Sequence, residues 1–157
     1  MARIKMLAEN RKARYDYSIE EKYEAGIALL GSEVKSIREG KASLRDSFAR
    51  VKNNEIFLEN VHIAPYSHGS YFNHEPLRAR KLLMHKDEIR RLQGKVAERG
   101  YTLVPLRMYL NDKGKIKVEL GLGRGKQKGD RRRDIMERET RRDMERMIKS
   151  ASRRPRS

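Results

Sequence analysis

Residues 101–122 read Tyr101-Thr-Leu-Val-Pro-Leu-Arg-Met-Tyr-Leu110-Asn-Asp-Lys-Gly-Lys115-Ile-Lys-Val-Glu-Leu-Gly-Leu122. In the second half Ile116, Val118, Leu120 and Leu122 alternate with polar residues or glycine. Period two is the signature of a strand with one buried face. Asn111-Asp112-Lys113-Gly114 between the halves is turn chemistry, since Asn, Asp and Gly tolerate the backbone angles of a tight reversal. The stretch is an antiparallel hairpin, and the same logic extends toward the N-terminus. Phe48–Lys52 and Glu55–Ile63 flank Asn53-Asn54, a second hairpin. Tyr15, Tyr17, Ile19, Tyr23, Ala25, Ile27 and Leu29 all fall on odd positions, which predicts one long or bent strand. Gly31-Ser32 interrupts it; Ser32 is the expected N-cap of a short helix through Ile37, stopped by Gly40. Ala64–Arg80 is a polar loop. Ile89, Leu92 and Val96 sit at helical spacing within Lys86–Glu98, and Gly100 ends that helix. Five or six antiparallel strands with a helix inserted midway predict a mainly β fold. We expect an OB-type antiparallel barrel with about three peripheral helices and a flexible basic C-terminal tail. The expected division is a basic arm over 1–12, a barrel over 13–124, and a tail over 125–157, disordered when free.

Composition narrows the function classes. The 157 residues carry 38 Lys and Arg against 22 Asp and Glu, a net charge of +16. Cysteine is absent, which excludes disulfide frameworks, thiolate zinc sites and cysteine nucleophiles. No apolar run approaches the roughly 20 residues of a membrane helix; Ala25–Leu30 is the longest candidate. Met1 to Asn10 lacks the apolar region of a signal peptide, so the expected location is the cytoplasm. A membrane-surface protein would carry an amphipathic helix with Trp or Phe; there is no Trp, and none of the three Phe lies in a basic helix. Nucleic acid fits the charge better, because Lys and Arg neutralising phosphates supply sequence-independent affinity.

Gly121-Leu-Gly-Arg-Gly-Lys-Gln-Lys-Gly129 superficially suggests a phosphate loop, but Leu120 and Gln127 stand where that motif needs Gly and a hydroxyl residue. It reads instead as a flexible exit from the last strand. His62, His68, His74 and His85 are spaced 6, 6 and 11 apart, without the tight spacing of metal ligands. No catalytic constellation is evident, so neither an enzyme nor a cofactor is expected. The odd-position tyrosines offer base-stacking platforms, but their shared register with Ile19, Ile27 and Leu29 favours the core. Arg11, Lys12 and Arg14 form one basic cluster; Arg78, Arg80 and Lys81 form another, placed before a strand. Two clusters plus a basic tail imply an extended RNA contact. From Gly125 to Ser157 there are thirteen Lys and Arg, six Asp and Glu, and no aromatic residue. Such a segment buries too little to offset its ordering entropy. Yet Asp134/Arg138, Glu137/Arg141 and Glu145/Lys149 are acid-to-base pairs at helix-favouring spacing, and Met144, Met147, Ile148 and Ala151 form a stripe. The tail is thus helix-ready without sustaining a helix alone.

Five motifs in order resemble one family. They are Asn10-Arg-Lys-Ala-Arg-Tyr-Asp-Tyr, Glu24-Ala-Gly-Ile, Gly31-Ser-Glu-Val-Lys-Ser-Ile-Arg, Phe72-Asn-His-Glu-Pro-Leu-Arg-Ala-Arg-Lys-Leu-Leu and Gly125-Lys-Gln-Lys-Gly-Asp-Arg-Arg. From about Asn10 to Lys149 the chain resembles the SmpB (small protein B) family, the SsrA-binding partners of transfer-messenger RNA (tmRNA) in bacterial trans-translation. The resemblance implies an OB-type barrel that binds the tRNA-like domain of tmRNA. It also implies delivery, with elongation factor Tu and GTP, to stalled ribosomes, where the tail becomes helical in the vacant mRNA channel of the small subunit. It places Asn10, Arg11, Lys12, Glu33 and Lys35 on or beside the RNA, and we add Arg14, Arg78, Arg80 and Lys81 from the basic clusters. For Glu33 the expected role is an acceptor from a base edge or a 2′-hydroxyl. Lys126, Lys128, Asp130, Arg131 and Arg132 fall to the ribosome-contacting tail motif, with Ile135 and Met136 packing against the channel wall. Gln127, Gly129 and Arg131 depart from the family's usual tail pattern. Charge and fold alone suit equally a general RNA chaperone or ribosome-assembly factor; motif order and the helix-ready tail favour the first reading.

Overall fold

The computed structural model describes residues 4–66, 73–98, 100–126 and 138–149. The chain divides into two compact units, Met1–Gly125 and Lys126–Ser157. In the first, the strands are β1 (Lys5–Glu9), β2 (Tyr17–Ile27), β3 (Ala42–Ser43), β4 (Phe48–Lys52), β5 (Glu55–Glu59), β6 (His62–Ile63), β7 (Arg80–Leu83), β8 (Tyr101–Leu110) and β9 (Ile116–Gly125). The helices are α1 (Arg11–Asp16), α2 (Gly31–Arg38) and α3 (Lys86–Ala97).

The main sheet runs β1-β8-β4-β5-β7-β2-β9, and β9 also pairs with β8. That extra pairing closes β4, β5, β7, β2, β9 and β8 into a ring, so the fold is mainly β and a barrel of OB type. Every pairing is antiparallel. Both anticipated hairpins are present. Asn53 and Asn54 take φ of 53° and 61°, the pair of left-handed residues that a two-residue hairpin turn requires. The second hairpin joins β8 to β9, with Gly114 at φ 75°.

The barrel interior is filled by Ile56, Leu58, Leu82, Leu103, Met108, Val118 and Leu120, capped by Ile37 of α2 and by Ile89 and Leu92 of α3. A second cluster forms where Ala13 of α1 covers Val104 and Leu106, with Tyr17 and Ile19 packed alongside. The split explains a departure from the expected single face of β2. Tyr15 is helical, and the β2–β9 register shifts between Ile19 and Glu21. A bulge exchanges the two faces of a strand. Odd residues before it therefore lie under α1, whereas Tyr23, Ala25 and Ile27 join the interior.

Three other expectations are corrected. Residues 5–9 of the anticipated arm are the edge strand of the main sheet, because β1 pairs with β8 from Lys5↔Leu110 to Glu9↔Arg107. Ser32 does not cap α2: Leu30 is the N-cap, and Glu33 reaches back to its N–H at 2.8 Å. Gly121–Gly125 is not a flexible exit but the last part of β9, paired with Lys22 through Tyr17. A Cβ on Gly123 would stand 2.3 Å from the Ser18 carbonyl oxygen, so the strands approach as closely as they do only because that residue is glycine. The second unit contains a helix at residues 138–149, every residue of it exposed.

Candidate nucleic-acid interface

The Phe72–Leu83 and Gly31–Arg38 motifs meet at a buried ion network. Glu33, fully buried, accepts from Arg78 Nη2 at 2.6 Å and from Arg80 Nε at 2.5 Å. Arg80, also fully buried, spends its remaining donors on the carbonyls of Val61 (2.6 Å), Glu75 (3.3 Å) and Pro76 (3.1 Å). Burial pushes the Glu33 carboxyl up, but hydrogen bonds from Arg78, the Leu30 N–H and Arg80 outweigh it and hold Glu33 below its ordinary value. Burial likewise pulls Arg80 down against support from Glu33. His74 extends the staple: Nδ1 meets Ser32 Oγ at 2.8 Å and Nε2 meets the Ile63 carbonyl at 2.9 Å, which requires the proton on Nε2. Glu33 and Arg80 were expected to touch RNA. They cannot, because no surface of either is exposed and their polar atoms are already partnered inside the protein. What the network presents is Arg78, with 31% of its side chain exposed, and Lys35, exposed on α2 with Nζ 5.4 Å from the Tyr66 ring centroid.

The Asn10–Tyr17 motif divides in the same way. Asn10 is buried; its Oδ1 accepts the Ala13 N–H at 3.2 Å, and Nδ2 donates to the carbonyls of Leu44 (3.1 Å) and Pro105 (2.9 Å). It fixes α1 on β8 and is not available for the direct RNA contact expected of it. Arg11, Lys12 and Arg14 are exposed around that anchor, with Lys12 Nζ 2.9 Å from Asp46. Three tyrosine hydroxyls are hydrogen-bonded, Tyr23 to Glu21 at 2.5 Å, Tyr101 to Glu20 at 2.7 Å and Tyr109 to Glu24. Arg124 and Arg107 already lie over one face of the Tyr101 and Tyr109 rings, 4.5 and 5.0 Å from their centroids.

Sequence reasoning missed a third place, a lysine-bearing cleft. A cleft of about 880 Å³ opens between the Asn53-Asn54 turn, β7, the start of α3 and β9. Lys81, Lys86 and Lys117 line it together with Glu24, Glu55 and Glu88, of which Glu55 is paired with Lys81 and Glu24 accepts from Tyr109. Leu83 stands 53% exposed at its wall. Gly26 leaves the floor open; a Cβ there would lie 3.2 Å from Leu83 Cβ. Lys81 is half-exposed and bridges to Glu55 at 3.3 Å, whereas Lys86 and Lys117 form no ion pair among the described residues. The three lysines come from three elements, so no spacing in the sequence marks them. One local signal existed: Arg80–Leu83 alternates buried and exposed, so Leu83 shares the outward register of Lys81. Nor do Arg80 and Lys81 precede a strand, since β7 begins at Arg80.

Among the described residues no group of three or more His, Cys, Asp or Glu is placed to hold a metal, and no helix is long and apolar enough to cross a membrane. Of the tail residues singled out, Lys126 is half-buried; Lys128, Asp130, Arg131, Arg132, Ile135 and Met136 lie outside the described residues.

Fold and surface together define an OB-type barrel protein whose exposed charge is cationic and clustered. The SmpB protein family model matches residues 7–150. The SsrA-binding protein of Symbiobacterium thermophilum is 61% identical over 148 residues, 94% of each chain. That of Clostridium tetani is 54% identical over 149 residues, 95% of each chain. A solved chain described under "tmRNA-SmpB: a journey to the center of the bacterial ribosome" superposes with a TM-score of 0.65 at 55% identity, covering 81% of this chain and 92% of that one. The chain belongs to the SmpB family.

Proposed function

We propose that this protein binds the tRNA-like domain of tmRNA and brings it to stalled ribosomes for trans-translation in the bacterial cytoplasm, acting as a binding protein and not as an enzyme. Family membership carries the reading: relatives at 54–61% identity are named for binding SsrA, which is tmRNA. The lysine-bearing cleft supports it physically. Lys81, Lys86 and Lys117 neutralise phosphates, while Leu83 offers an apolar surface for a sugar or base. Arg11, Lys12, Arg14, Lys35 and Arg78 extend the contact; Asn10, Glu33 and Arg80 hold those cations in place from inside. Elongation factor Tu with GTP completes the delivery complex.

In the same proposal the tail occupies the empty mRNA channel. Walled by RNA phosphates, its Arg131–Arg133 run gains counterion-release energy, and the Asp134/Arg138 and Glu137/Arg141 pairs extend a helix from there. Two measurements test the reading. Gel shifts with the tRNA-like domain should show tight, salt-sensitive binding that survives truncation after Lys126, and absence of binding would overturn the reading. Changing Asp130, Arg131 and Arg132 to Ala, or Ile135 and Met136 to Asp, should abolish peptide tagging on a stop-less message without loss of RNA binding. Normal tagging by both variants would remove the tail from the mechanism.

A further inference from the structure

We infer that the cavity beside α1, at the Phe48 end of β4, takes one unstacked nucleobase of a bound RNA and prefers a base that carries an exocyclic amine; the inference rests on the RNA-binding reading above. β4 and β8 pair at Ala49↔Leu103, two residues of the barrel interior. Strand alternation then turns Phe48, Thr102 and Val104 to the outer face. Val104 is covered by α1, but Phe48 belongs to neither hydrophobic cluster and stays half-buried. With Tyr17 these residues border a cavity of about 240 Å³. That is smaller than pockets for drug-sized ligands and in the range of a single ring system. Bases splayed from single-stranded RNA stack on aromatic side chains in just such places.

The polar wall supplies the selectivity. Asp46 lines the cavity and holds φ at 60°, a left-handed conformation that few non-glycine residues adopt. Its Oδ1 is tied to Lys12 Nζ at 2.9 Å, and Oδ2 lies 4.0 Å from Arg45 Nε. The Lys12 hydrogen bond and charge keep the carboxyl ionised. An ionised carboxylate only accepts, so it pairs with the projecting amines of adenine, cytosine or guanine and disfavours uracil, whose one edge donor, N3–H, sits between two carbonyls that the carboxylate repels. Exposed Arg11, Arg14 and Arg45 around the same end are placed for flanking phosphates.

The test uses the full chain and fluorescein-labelled oligo-adenylate, oligo-cytidylate and oligo-uridylate, read by anisotropy across a salt series. The first two should bind at least about fivefold tighter than the third. Asp46→Asn keeps the left-handed preference but adds a donor, and should erase that discrimination. Thr102→Leu fills the cavity; it should weaken oligo-adenylate and oligo-cytidylate by about fivefold with an unchanged salt slope and melting temperature, since no phosphate contact is removed. Equal binding of all three oligomers by the unaltered protein, or no effect of Thr102→Leu, would overturn the inference. Binding of the tRNA-like domain is judged separately, so failure here leaves that reading intact, and failure there with discrimination preserved does the reverse. Dimethyl sulfate (adenine, cytosine) and kethoxal (guanine) probing names the RNA that supplies the base: a single adenine, cytosine or guanine should be protected by the unaltered protein but not by Thr102→Leu, in either the tRNA-like domain or the small ribosomal subunit. Protection in neither also overturns it.

Discussion

Two cationic regions of the barrel treat charge in opposite ways. At the start of α2, Arg80 and part of Arg78 turn inward onto Glu33, and the charge is consumed in holding β6, β7 and α2 together. At the β7–α3–β9 cleft, Lys81, Lys86 and Lys117 turn outward over a glycine floor. The first leaves only Arg78 and Lys35 at the surface, whereas the second offers Lys86 and Lys117 outside any ion pair among the described residues. A motif dense in Arg and acidic residues can be a structural staple, whereas the binding surface gathers from single lysines on separate elements.

The sharpest way to break the comparison is Glu33→Ala. It leaves Arg80 as an uncompensated buried charge and should cost about 3–5 kcal/mol in urea unfolding, while the remaining folded protein keeps its RNA affinity. A stable variant with lost affinity would return Glu33 to the RNA surface. The pH dependence has a definite sign. Glu33 is held below its ordinary value of 4.5, so its stabilisation is complete above that pH and is lost as pH falls through the lower folded value. Glu33→Gln should remove that acid-limb loss in pH-dependent melting.

Asn10→Ala tests the second buried anchor. It removes a helix cap and takes away the Asn10 donor from the carbonyls of Leu44, which keeps Ser47, and Pro105, for an expected loss of about 2 kcal/mol by chemical denaturation. The triple change of Lys81, Lys86 and Lys117 to Ala should do the opposite. Stability should move by less than about 0.5 kcal/mol, while affinity for the tRNA-like domain drops and the log–log salt slope falls by about one per lysine in filter binding. An unchanged slope would close the cleft as an interface. Lys35→Ala is the smallest expected effect, below about 1 kcal/mol in stability because its ring contact with Tyr66 is exposed, with a loss of about one unit in the same slope.

Legibility followed locality. Asn53-Asn54 and Asn111–Gly114 announced their hairpins because turn chemistry and alternation act over a few residues, and α3 was visible from Ile89, Leu92 and Val96. β1 was not, since Lys5–Glu9 owes its strand state to β8, about a hundred residues away. The bulge after Ile19 was hidden because both faces of β2 receive apolar residues, one set under α1 and one inside the barrel. Gly121 and Gly123 read as linker because glycine signals freedom, yet here it permits contact between neighbouring strands. The site was half legible. Arg11, Lys12, Arg14, Lys35 and Lys81 are exposed, while Asn10, Glu33 and Arg80 are not, and whether a polar residue faces in or out depends on partners such as Val61, Leu44 and Pro105 that no spacing reveals.

The closure of the ring has a consequence for how the protein is born. Tyr17, near the N-terminus, pairs with Gly125 in the last strand, and β2 shares more of its length with β9 than with any other strand. Contacts of such long sequence separation form slowly and only after their loops have closed. During synthesis β1 through β8 emerge first, and the barrel has no means of closing until β9 is made. Until then the long edge of β2 stays unpaired, an adhesive surface on a nascent chain that later residues alone can cover.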